Sequence, residues 1–200
     1  MPGKTHAAIG VMLTTMILLP TNDIKYTLAN TALAVVGAFT VDIDTAKSQG
    51  ATFLKKIFGT IVAVIILGAI LKIEYNINIF NYILENRAIH QLIPGLSILV
   101  GALIMGVITP HRSFTHSMVG VIAFTIPIYM LAGPLYKGFL IGYIAHILAD
   151  MLNEKEVKIL WPMKKGICLN LCSADGIVAK ILFVVSIGVT VLQYKNYFNI

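Results

Sequence analysis

The chain has 200 residues, of which 58% are hydrophobic and only 12% are charged, and its formal net charge is +6. A soluble domain carries about twice that share of charged residues, so the composition excludes an ordinary soluble domain and indicates an integral membrane protein. No run of Lys and Arg with interleaved aromatic residues occurs, which argues against nucleic-acid binding.

Seven apolar segments follow one another and predict an all-α, polytopic transmembrane bundle of about six or seven helices. They cover residues 7–19, 27–41, 57–72, 93–110, 117–135, 138–151 and 177–194. Since a full span needs about 20 apolar residues, the fourth, fifth and seventh segments meet or approach that length. The others are short, and whether 7–19 and 138–151 cross the bilayer completely stays open. We expect residues 1–200 to form a single membrane domain.

The first segment follows Lys4 and therefore looks like a secretory signal. The run ends in Leu18-Leu19-Pro20 without a small-x-small cleavage site. We expect this segment to be retained as the first helix.

Four of the five histidines and three of the five aspartates fall where predicted helices end. If each segment reverses the direction of the chain, all seven reach the same face of the bundle. These residues are His6, Asp42, Asp44, His111, His116, His146 and Asp150. The fifth histidine, His90, falls on the opposite face. Ionisable groups are costly near lipid, so one shared site is the simplest reason for their common position.

The best local pair is His146 and Asp150, which the i, i+4 spacing places on one helix face. Such a pair can hold one ion, or it can form a simple hydrogen bond between packed helices. His111 and His116 follow Pro110, which ends the fourth segment, so we expect a turn that folds both rings toward one point.

The remaining charged residues of this face have several open roles. Asp42 is a candidate ligand, whereas Asp44 can be a ligand, can orient a histidine, or can act as general base. Arg112 is suited to bind an anionic substrate oxygen through its planar guanidinium, or to anchor in the headgroups. These two residues, Asp44 and Arg112, are the predicted catalytic groups.

Histidine with aspartate is the ligand set of transition-metal hydrolase sites. The sequence predicts a divalent transition metal, with zinc expected, manganese or iron as alternatives, and one or two ions per chain. The predicted ligands are His6, Asp42, His111, His116, His146 and Asp150. A metal-ion or proton transporter, or a non-catalytic His–Asp packing network, would use the same residue types.

The order of these motifs resembles the YdjM-like family, described as LexA-regulated, membrane-bound, metal-dependent hydrolases. The similarity rests on Thr5-His6, Asp42-Ile43-Asp44 with Ser48, His111-Arg112 with Thr115-His116-Ser117, His146 to Asp150 with Asn153, and Leu160-Trp161-Pro162. It implies a bacterial or archaeal membrane-bound hydrolase. The chain departs from the family pattern at Val41, at Ser113, and after Gly176, where an expected Glu is missing.

The residues also predict topology and surroundings. Lys and Arg are more frequent on the ligand face, which the positive-inside rule places in the cytoplasm of a multi-pass inner-membrane protein. The loop 152–176 on that face, with Trp161, is predicted to lie at the membrane interface.

Cys168 and Cys172 are expected to be reduced thiols. A site at this level favours a phosphoester or other lipid-linked substrate; the oligomeric state stays open.

Overall fold

The computed structural model describes residues 1–19, 23–45, 48, 51–53, 56, 89–173 and 176–198, and these residues form helices joined by turns and loops. Within these described ranges, the α-helices are α1 (Gly3–Leu18), α2 (Ile24–Thr40), α3 (Ile89–Ile108), α4 (Met118–Ala132), α5 (Tyr136–Met151) and α6 (Ile177–Phe198). A 3-10 turn, Val41–Asp44, continues α2, and a second one, Gly133–Leu135, joins α4 to α5. The predicted all-helical fold is confirmed, while the predicted segment 57–72 lies outside the described residues.

Local sequence explains where these helices begin and end. α3 ends at Ile108, two residues before Pro110, which cannot continue a helix. α4 begins after Ser117, whose side chain accepts the Gly120 N–H at 3.1 Å. The predicted segment 117–135 is longer than the helix that forms, because Gly133 takes a φ of 57° and ends α4 at Ala132.

Three of the described helices run toward one end of the bundle, and three run away from it. Tyr143 of α5 donates its hydroxyl to the Thr115 carbonyl at 2.5 Å, so α4 and α5 form an antiparallel hairpin. α6 runs parallel to α1, since Lys4 lies over the Phe183 ring at 5.4 Å and Thr15 contacts Gln193. We call the end where α2, α3 and α5 finish, and α1, α4 and α6 begin, the site end of the bundle.

The parallel helices α2 and α5 pack at very short range through small residues, as membrane helices often do. A Cβ atom added at Gly138 would lie 2.0 Å from the Asn30 carbonyl oxygen, and one added at Gly142 would lie 2.0 Å from that of Ala34. We call this contact of Asn30, Ala34, Gly138 and Gly142 the α2–α5 seam. One turn further along α5, His146 continues the same face.

The outer faces of the bundle are apolar. Four stretches of the described chain are long and apolar enough to cross a membrane: Ile24–Asp44, Gln91–Ile108, Met118–Met151 and Ile177–Phe198. The third contains both α4 and α5. α3 and α6 expose many large apolar side chains, among them Ile104, Val107, Val184 and Val191. A surface of this kind suits lipid better than water.

Candidate metal centre

The predicted ligands and catalytic groups meet at the site end, although they are distant in sequence. His6 comes from α1, Asp42 and Asp44 from the 3-10 turn after α2, His111, Arg112 and His116 from the turn between α3 and α4, and His146 and Asp150 from α5. The cluster therefore joins four separate elements. The fifth histidine, His90, belongs to the first turn of α3, at the other end of that helix.

His146 has a defined proton position. Its Nδ1 lies 2.6 Å from the Ala38 carbonyl oxygen, which can only accept, so Nδ1 carries the hydrogen. Nε2 is the nitrogen that carries the lone pair in the neutral form of this ring, and it lies 3.5 Å from Asp42 Oδ1. This Nε2 is buried and has no hydrogen-bond partner among the described residues. A buried lone pair without a donor is what a metal ligand provides before the metal binds.

His6 packs directly on this ring. The two imidazoles stack with centroids 3.8 Å apart and planes inclined by 11°. Nε2 of His6 lies 3.3 Å from Asp150 Oδ1, and the residue is only 1% exposed. Two stacked imidazoles are therefore fixed side by side in the interior of the site end.

Asp150 is the most connected group of the cluster. Its carboxylate lies 3.4 Å from His116 Nε2 and 3.9 Å from His146 Nε2, in addition to the His6 contact. It also accepts from the Asn153 side-chain amide at 2.9 Å, and the Met1 amino group lies 3.5 Å away. The residue is 2% exposed, so these contacts replace its hydration.

Asp44 supports the rings of the turn between α3 and α4. One oxygen accepts from His111 Nδ1 at 2.7 Å, and the other accepts from the Arg112 backbone N–H at 3.1 Å and the Thr115 hydroxyl at 2.7 Å. His116 Nδ1 lies 3.4 Å from that second oxygen. Of the three roles left open by the sequence, this geometry favours orientation of the histidines, because a general base needs a carboxylate oxygen free to take a proton.

Two opposing effects act on the pKa of the His116 imidazole. Burial by itself lowers the pKa of the imidazole, but the nearby Asp150 and Asp44 carboxylates outweigh burial and raise the pKa to about 8. Its Nε2 also makes no hydrogen bond with the described residues. The ring is thus held between two anionic groups without a complete set of hydrogen bonds.

Arg112 has partners within the protein that the sequence did not indicate. Its guanidinium lies 3.0 Å from Asp150 and donates to the Lys155 carbonyl at 2.6 Å. Its expected contact with an anionic substrate oxygen stays a prediction. The backbone of Arg112 has a φ of 62°, in the left-handed region that is uncommon for residues other than glycine. Nε of Arg112 is buried and has no partner among the described residues. The arginine therefore connects a candidate ligand to the following loop.

The six predicted ligands divide into two groups of three, each with its ligand atoms within 4.8 Å of one another. The groups are His6, His146 and Asp150, and Asp42, His111 and His116. The first is wholly buried. The second includes the half-exposed His111, whose side chain is 44% exposed, so the cluster is open to the outside on this side.

The spacing of these atoms fits a small divalent ion. Two ligand atoms each about 2.1 Å from a tetrahedral zinc ion are roughly 3.4 Å apart. The distance from Asp150 to His6, within the first group, is 3.3 Å. The distances from Asp150 to His116 and from Asp42 to His146, which join the two groups, are 3.4 and 3.5 Å. Together with the unpartnered imidazole nitrogens, these distances make the cluster compatible with the predicted transition metal.

Several residues support the predicted ligands; Ser48 belongs to the family resemblance, whereas Ala38 was not predicted from the sequence. Ser48 donates its hydroxyl to the Asp42 carbonyl at 2.8 Å and fixes the end of the 3-10 turn. The role of Ala38 cannot be recognised from its residue type, because only its backbone carbonyl contacts His146. Cys168 and Cys172 are free thiols, and Cys172 Sγ lies 3.7 Å from the Asn153 side-chain oxygen.

Comparison with known proteins gives a match over almost the whole chain. The family model described as YdjM inner membrane protein matches residues 1–198. Two curated proteins named inner membrane protein YdjM, from Escherichia coli (strain K12) and Shigella flexneri, are each 38% identical over 61 residues. Each alignment covers 27% of this chain and 31% of the relative, so the chain matches about a third of their length. No solved structure matches at a significant level.

Proposed function

The chain belongs to the YdjM inner membrane protein family, and we propose that it is a membrane-bound, metal-dependent hydrolase. The family membership confirms the resemblance inferred from the motifs, and together with the apolar helices it supports a multi-pass protein of the inner membrane. The observation that carries the proposal is the cluster of three buried imidazoles beside two carboxylates at the site end, in which Nε2 of His116 and Nε2 of His146 have no hydrogen-bond partner among the described residues.

In this proposal the two groups of three side chains hold one or two divalent ions, with zinc as the first candidate. They are His6, His146 and Asp150, and Asp42, His111 and His116. When bound, such an ion supplies a Lewis acid and a water molecule of lowered pKa.

The protein contributes the orientation of the ligands. The Ala38 carbonyl keeps the proton of His146 on Nδ1, which leaves Nε2 free for coordination. Asp44 does the same for His111 through its 2.7 Å contact with Nδ1. Arg112 holds Asp150 from the loop side, and its guanidinium is the group expected to bind an anionic substrate oxygen.

The substrate class follows from the position of the cluster. Its ligands come from helix ends beside apolar, lipid-suited surfaces, and its more exposed member is His111. A phosphoester or another polar linkage attached to a lipid chain would reach this level of the membrane without leaving the bilayer. We propose an amphipathic, lipid-linked phosphoester as the substrate, approached from the cytoplasmic side.

The test compares two histidines of the same chain. We expect detergent-purified wild-type protein to retain zinc or another transition metal, His146→Ala to lose most of it, and His90→Ala to keep it. Elemental analysis measures the metal, and release of phosphate or alcohol from a fluorogenic phosphoester lipid measures hydrolysis. A wild-type protein without metal, or equal metal loss in both variants, contradicts the proposal; metal binding without any hydrolysis contradicts its enzymatic part.

A further inference from the structure

The loop after α5 exposes apolar side chains at the site end. Leu160, Met163, Leu169 and Leu171 are between 52% and 69% exposed. Apolar groups in such number within one loop are unfavourable in water. The exposed apolar surface of this loop would therefore be stabilised by contact with an apolar partner.

The same loop is basic. It carries four lysines against two glutamates: Lys155, Lys158, Lys164 and Lys165, with Glu154 and Glu156. Lys164 and Lys165 are both exposed and stand directly after Met163. Apolar side chains flanked by lysines are complementary to a leaflet with anionic headgroups and acyl chains below them.

The loop is not a free segment, because backbone hydrogen bonds attach it to the helices. Leu169 N–H donates to the Met151 carbonyl at 2.7 Å, and Met118 N–H donates to the Ile159 carbonyl at 3.0 Å. The Trp161 ring packs edge-on against Phe114 with centroids 5.4 Å apart. The exposed leucines and lysines are thus held at a fixed height beside the site end.

A hollow on the loop adds a specific shape. It has a volume of about 290 Å³ and is lined by Ile159, Leu160, Met163, Lys165 and Ile167. Four of the five lining side chains are apolar, and the fifth is a lysine. Such a hollow suits an acyl segment next to a phosphate.

We propose that residues 154–171 form a lipid-docking loop that binds anionic phospholipids of the leaflet at the site end. The partner is the leaflet itself, since the loop extends from helices that cross it. This inference does not depend on the proposed hydrolase activity. Each lysine near an anionic membrane surface strengthens binding to that surface by about fivefold. Removing two lysines should therefore abolish most of the preference of the loop for anionic lipid.

Trp161 is the only tryptophan of the chain and therefore reports on the loop. The full-length protein is reconstituted into nanodiscs of phosphatidylcholine and phosphatidylglycerol, with bromine carried by the chains of one lipid or the other. We expect brominated phosphatidylglycerol to quench Trp161 more strongly than an equal amount of brominated phosphatidylcholine. The preference should disappear in Lys164→Gln/Lys165→Gln.

The matched control removes the same charge at the other end of the bundle, in Lys25→Gln/Lys137→Gln, where both lysines are exposed. This variant should keep the preference. Equal quenching by both lipids in the wild type overturns the proposed lipid class. Absence of quenching by either lipid shows that the loop faces water or another protein, and overturns the proposal entirely. Loss of the preference in both variants shows a general charge effect and also contradicts it.

Discussion

Gly142→Ala should damage the metal centre although residue 142 is one helical turn away from it. The glycine belongs to the α2–α5 seam, where an added Cβ atom would lie 2.0 Å from the Ala34 carbonyl oxygen. Ordinary contacts of this kind begin at 3.4 Å. The methyl group cannot rotate away, so the two helices must separate.

The size of the effect follows from these distances. Restoring ordinary contact needs a shift of about 1.4 Å between α2 and α5, which is the difference between 3.4 and 2.0 Å. A similar shift one turn later would lengthen the 2.6 Å contact of His146 Nδ1 with the Ala38 carbonyl beyond hydrogen-bond range. Loss of a hydrogen bond that orients a metal ligand weakens metal affinity by about 10–100-fold.

The assay is competition for zinc between the detergent-purified protein and a chromophoric chelator, together with the thermal unfolding midpoint. Gly188→Ala in α6 is the control, because nothing lies within 4 Å of an added Cβ there. An alanine is intrinsically the better helix former by about 1 kcal/mol, so the control should be neutral or stabilising. Gly142→Ala should be less stable and bind zinc more weakly.

Two results would refute this reasoning. If Gly142→Ala binds zinc like the wild type, His146 does not depend on the packing of α2 against α5. If the unfolding midpoints of Gly142→Ala and Gly188→Ala are equal, the close helix contact itself is wrong.

Two further predictions concern topology and Arg112. Reporter fusions at Lys164 and after Phe198 should appear on opposite sides of the membrane, with Lys164 in the cytoplasm; both on one side would contradict the course of α6. Arg112→Ala should lower zinc affinity about 10–100-fold, because Asp150 loses its charged partner. Arg112→Lys should restore it only in part, since an ammonium lacks the planar fork. Unchanged affinity with lost phosphoester hydrolysis would place the guanidinium on the substrate alone.

The positions of the candidate ligands could be anticipated from the sequence because they depend on simple geometry. If each of the seven predicted apolar segments reverses the chain, residues at alternate segment ends reach one face. His146 and Asp150 share a helix face because four residues are close to one turn. Neither inference requires knowledge of how the helices pack.

What the sequence could not provide depends on tertiary contacts. The stacking of His6 on His146 arises only when α1 packs beside α5. Arg112 has a positive φ that is uncommon for arginine, and its pairing with Asp150 forms only when the turn between α3 and α4 packs against α5, so neither could be anticipated. The predicted end of α4, at residue 135, lies three residues beyond its actual end at Ala132, because the predicted apolar segment includes Gly133.

The unequal lengths of the outer helices affect the bilayer around them. α4 has 15 residues and α6 has 22, which correspond to about 22 and 33 Å of helix. A hydrocarbon core is about 30 Å thick, so α6 matches it and α4 does not. Lipids beside α4 must compress, and headgroups and water move inward there. Membrane thickness, set by acyl-chain length, would then determine how deep the cluster lies below the surface.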